Sequence, residues 1–96
     1  VISEEFGKIN RLSFKGQIFF VSIDSMMEQI NFEIENSTIE LNFNNAHLWD
    51  DSAVDAIDTI VRKFEEKNNI VRIEKLNSDS RKIVSELSQL NENHLN

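Results

Sequence analysis

Apolar and polar positions along this chain fall into short blocks whose period shifts between two and about 3.6. Within residues 9–14, Leu12 and Phe14 stand two apart, the spacing of one strand face. Lys15-Gly16 reads as a turn, and residues 17–21 are dense in aromatic and branched side chains, which predicts a second strand. A hairpin is expected from this pair. Ile23, Met26, Met27 and Ile30 then take the i, i+3, i+4, i+7 stripe of a helix, with Ser22 or Asp24 available to cap it. The two methionines read as core filler, because flexible thioether chains fill irregular gaps.

Beyond Asn36-Ser37, the residues Ile39, Leu41 and Phe43 alternate with polar ones, so residues 38–43 are expected to form a strand with one buried face. Asn36-Ser37-Thr38 also matches the glycosylation sequon, but no secretory signal accompanies it. A central helix is predicted over residues 52–67, with Ala53, Ile57, Ile60, Val61 and Phe64 on its core face. Asn68-Asn69 can end it. Residues 70–74 resume as a strand. A last helix over residues 79–90 carries Ile83, Val84, Leu87 and Leu90 on one face, and residues 91–96 are polar and expected to fray. The order β-β-α-β-α-β-α is that of an α/β fold with α+β character: a mixed sheet, parallel where helices intervene. Because several strands alternate, the helices are expected mainly on one face.

Ninety-six residues with 40% apolar content suit one small domain, its core lying between about residues 7 and 90. The absence of cysteine excludes disulfides, thiolate metal sites and cysteine nucleophiles. A net charge of −7 argues against nonspecific nucleic-acid binding and against docking by charge on an acidic membrane leaflet. No apolar run approaches the roughly 20 residues of a membrane span, and no signal peptide is visible. A chain that begins with Val1 is expected to be a fragment or a processed product.

Candidate chemistry concentrates in one run, Asn45 to Val54, which joins a predicted strand to the central helix. Asp50, Asp51, Asp55 and Asp58 gather at the helix start, and Arg62, Lys63 and Lys67 near its end. This order complements the helix macrodipole. Asp58 and Arg62 stand in the favoured i,i+4 orientation. The carboxylates read either as caps or as a regulatory surface, since a helix start offers unpaired amides and partial positive charge. Ser52 to Asp55 matches the loose capping-box pattern, so Ser52 is the expected N-cap. Trp49 reads either as a core anchor or as a contact residue, and His47 as a loop or packing residue. His47 and His94 form no ligand pattern, and two glycines cannot build a phosphate loop. No metal site, cofactor or enzyme activity is predicted.

The element order and the run Asn42-Phe43-Asn44-Asn45-Ala46-His47-Leu48-Trp49-Asp50-Asp51-Ser52-Ala53-Val54 resemble the STAS domain family of sulfate transporters and anti-sigma factor antagonists. The resemblance covers about residues 9–90 and is most specific over residues 39–64. Gly16-Gln17-Ile18-Phe19-Phe20-Val21 is similar to the Gly-x-Leu-Phe-Phe segment of the cytoplasmic C-terminal domains of SulP-type anion permeases. Ala46-His47-Leu48-Trp49-Asp50 and the helix start after it look like their version of the loop.

The antagonists carry Asp-Ser-Ser-Gly here, with the first serine phosphorylated. Matched position by position, Asp50 takes the aspartate, Asp51 the phosphoacceptor, Ser52 the second serine and Ala53 the glycine. Asp51 carries about one fixed negative charge where phosphoserine carries roughly −1.5 to −2, and a kinase cannot switch it.

The resemblance therefore implies a non-catalytic regulatory domain of a sulfate or related anion transporter, at the cytoplasmic face of the membrane. The domain itself would be soluble and would not insert. Its expected partners are the parent's transmembrane domain, a second protomer or a cytosolic protein. Trp49, Asp50, Asp51, Ser52 and Asp55 are the expected partner surface. The alternative is a free-standing antagonist-like signalling protein.

Overall fold

The computed structural model describes residues 1–75, so the helix expected over residues 79–90 lies outside the described residues. Four strands and two helices run in the order β1 (Ile2–Phe6), β2 (Ile9–Ile18), α1 (Ile23–Glu28), β3 (Thr38–Leu48), α2 (Asp51–Glu65) and β4 (Ile70–Glu74). They form one mixed sheet in the order β1-β2-β3-β4. The β1–β2 pair is antiparallel, and β2–β3 and β3–β4 are parallel. Both parallel crossovers step the same way across the sheet, so right-handed connections bring α1 and α2 to the same face. The core lies between that face and the helices. Leu12 and Phe14 of β2, Ile39, Leu41 and Phe43 of β3, and Val71 and Ile73 of β4 meet Ala53, Ile57, Ile60 and Phe64 of α2 there.

The hairpin lies one strand earlier than the pattern predicts. Lys15-Gly16 does not reverse the chain; it sits inside β2, a single strand of 10 residues, with Gly16 at φ 85°. The reversal falls at Gly7-Lys8, where Phe6 pairs with Ile9. Gly7 takes φ 63° at the first turn position, where the primed turns that match strand twist call for a positive φ. Strand β1 escapes the pattern because all five of its residues are exposed, leaving no buried face to read. Phe19, Phe20 and Val21 leave the sheet altogether. Ser22 closes that turn: its hydroxyl accepts from the Phe19 amide at 3.2 Å and donates to the Phe19 carbonyl at 3.0 Å. It therefore makes no cap bond to α1.

Strand β3 runs five residues beyond the predicted end, to Leu48. Its pairing with β2 passes from Ser13–Asn42 to Lys15–Asn45, so β3 uses one residue more than β2 over this step. The buried set changes parity with it, from Ile39, Leu41 and Phe43 to Ala46 and Leu48. Such a bulge bends a strand and re-aims the side chains beyond it. Phe14 and Phe43 stack beside it with ring centroids 4.7 Å apart. The two methionines behave as core filler: Met26 is buried and Met27 packs against the cluster.

Helix α2 ends close to the expected position, and Asn68 takes φ 63° just after it. Asn69 is the buried polar residue among those described. Its Oδ1 accepts from the Ser37 amide at 3.0 Å, while Nδ2 donates to the carbonyls of Ile34 at 2.7 Å and Phe64 at 2.9 Å. One side chain thus ties the end of α2 to the entry of β3. Replacing it removes the partner of the Ser37 amide and of the Ile34 carbonyl, while the Phe64 carbonyl keeps the Lys67 and Asn69 amides. A buried unsatisfied group costs about 1–3 kcal/mol. Asn69→Ala is expected to lower unfolding free energy by about 2–4 kcal/mol in urea denaturation. Asn69→Asp should cost at least as much, because a carboxylate would face two carbonyls.

Candidate partner surface at the start of the second helix

The site forms where the parallel strands β2 and β3 end. The Trp49 amide donates to the Ile18 carbonyl at 3.0 Å, which carries the ladder one step past Leu48. Leu48 is buried, so strand alternation turns Trp49 outward. Trp49 is 55% exposed, which excludes the core-anchor reading, and its ring lies 5.1 Å from that of His47. His47 is a half-buried residue of β3 and not a loop residue.

Asp50 is the N-cap of α2, with extended backbone at φ −151° and ψ 178°. Its Oδ1 accepts from the Ala53 amide at 3.0 Å. Its Oδ2 accepts from the Phe20 amide at 3.3 Å. The carboxylate therefore holds the helix start and the β2–α1 turn together. Ser52, the expected cap, lies within the helix. The cap falls two residues earlier because the chain turns from extended to helical at Asp50, which places that side chain opposite the free amides.

Asp51 and Asp55 are exposed and Ser52 is half-buried. Ser52 and Asp55 line a shallow groove between the helices with Ile23, Asp24, Met27 and Thr59. The five expected site residues thus share the first turns of α2 and the loop before it. Sequence reasoning missed Phe20 and Val21, which are 68% and 65% exposed beside this loop. A signal was present: three consecutive apolar residues, Phe19 to Val21, cannot all enter one face of a strand. Fixed carboxylates flanked by exposed aromatic rings can bind a partner that is both basic and apolar. Among the described residues, no three metal-ligating side chains converge. No described helix is long and apolar enough to cross a membrane.

The STAS domain family matches residues 2–95, and the chain belongs to that family. It is 30% identical over 81 residues, 84% of its length, to the Bacillus subtilis (strain 168) protein named "Putative sulfate transporter YbaR". The chain spans 17% of that relative's length. The crystal structure of an antisigma-factor antagonist STAS domain from Rhodobacter sphaeroides superposes with a TM-score of 0.71 at 27% identity. That match covers 92% of this chain and 89% of the other.

Loss of an N-cap side chain costs about 0.5–2 kcal/mol. Asp50→Ala is expected to fall in that range by thermal or urea denaturation and to speed amide exchange at Phe20. Asp50→Ser should recover most of the stability through the Ala53 amide. Its shorter side chain should leave Phe20 exchange fast, separating the cap from the clamp.

Proposed function

We propose that this chain is the regulatory STAS domain of a SulP-type transporter of sulfate or a related inorganic anion, acting by contact and without catalysis. The observation that carries this reading is Asp51, a permanent charge at the exposed position where antagonists carry a phosphorylated serine. The similarity to the Bacillus protein supports it. In this reading the parent is an integral membrane protein and the domain lies on its cytoplasmic face. Trp49 and Phe20 supply apolar contact, Asp51 and Asp55 supply fixed charge, and Asp50 holds the surface in shape. The occupant is the transmembrane domain, another protomer or a cytosolic protein.

The likeness to the Rhodobacter structure favours a second reading, a free-standing antagonist-like protein that binds an anti-sigma factor through the same helix start. Size and fraction of the native gene product separate the two. A membrane-fraction polypeptide several times longer is the expected result, and a soluble product of about this length would overturn the transporter reading. Within the parent, Asp51→Lys with Asp55→Lys, and separately Trp49→Ala with Phe20→Ala, are expected to change anion flux several-fold. Surface changes of this kind shift stability by only about 0.5 kcal/mol each. Unchanged flux in both variants would remove the surface from consideration.

A further inference from the structure

The two described helices pack on one face of the sheet, and pairing register aligns side chains across all four strands on the other. Phe6, Ile9, Thr38 and Ile70 form one row of that face. Phe6 is 52% exposed and Ile70 64%. The next row is Glu4, Arg11, Glu40 and Arg72, with charges that alternate in sign. Arg11 Nε lies 3.2 Å from Glu40 Oε1, and its guanidinium stands 5.5 Å from the Phe6 ring centroid.

We propose that two copies of this chain associate through the face that the described helices leave uncovered, about a two-fold axis parallel to the strands and between β2 and β3. That operation keeps each row at its level and reverses its order. Glu4 then meets the other copy's Arg72, and Arg11 meets the other copy's Glu40, with both contacts repeated by symmetry. A two-fold axis running across the strands would instead set each charge against its own kind. The same operation lays Phe6 on Ile70 and Ile9 on Thr38, which covers the apolar row.

Equal numbers of positive and negative groups in the charged row favour no partner of single sign, whereas the reversed row is its own complement. In the third row Ser13 meets Asn42, and Ile2 meets Glu74 at the rim of the contact. These rows lie at the start of β3, whereas Trp49 and the carboxylates lie beyond its other end. The association therefore does not depend on the function proposed for that surface.

Four strands of about five residues give a face of roughly 300 Å² in plan, well under the roughly 800 Å² per partner of stable complexes. The isolated dimer is therefore weak. Sedimentation equilibrium of the 96-residue chain up to about 1 mM is expected to show reversible dimerisation.

Arg72→Glu and Glu4→Arg should each weaken association about tenfold, and the double variant should return to within about twofold of the unaltered chain. These residues sit on opposite edge strands, roughly 14 Å apart by strand spacing, so recovery requires pairing between copies. Ile70→Lys should abolish the dimer, with circular dichroism reporting an intact fold. A monomer at every concentration would assign the face to another occupant and overturn the proposal. A dimer indifferent to Ile70→Lys, or single losses that the double variant does not repair, would overturn it equally.

Discussion

The extra residue in β3 is the constraint on which the site depends. Before it, odd-numbered residues face the helices; after it, even-numbered ones do. Without that shift Ala46 and Leu48 would point away from the core, since a one-residue slip reverses every side chain of a strand. Trp49 would turn inward, and Asp50 would leave the strand on the wrong side for α2. The bulge thus converts an apolar alternation that would otherwise run out of register into a strand end that exposes one aromatic ring and aims one carboxylate.

From that strand end, two polar side chains hold the connections. Asp50 couples the start of α2 to the β2–α1 turn, and Asn69 couples its end to the entry of β3. Both work by satisfying backbone groups that a helix or turn leaves unpaired. The helix between them is gripped at both ends, and its buried residues Ala53, Ile57, Ile60 and Phe64 anchor it to the sheet. A partner that pressed on Trp49 or Asp51 would therefore meet a surface backed by the core, with the β2–α1 turn tied into it.

The two sides of the sheet differ in what they present. One is covered by the helices. The other retains apolar side chains in a row with a charged row beside it, an arrangement that exposes large groups without a long single-sign field. At the strand ends, carboxylates and exposed rings stand together, a combination that suits binding. Membership of the STAS family, with likeness to both a transporter and an antagonist, agrees with that chemistry.

The sequence by itself determined the element types from α1 to β4, the mixed α/β class and the concentration of carboxylates at the start of α2, but not strand β1. Those arise from local periodicity and from capping chemistry, which act within a few residues. It also carried the family resemblance, because the run from Asn42 to Val54 is contiguous. Only the tertiary structure decided that Lys15-Gly16 continues a strand, that Gly7-Lys8 makes the hairpin, and that Asp50 rather than Ser52 caps the helix. It alone brought Phe20 to Asp50, residues 30 apart in the chain. A turn signal states only that a backbone can reverse. Whether it does depends on pairing with β3, a contact between distant residues that no local pattern records.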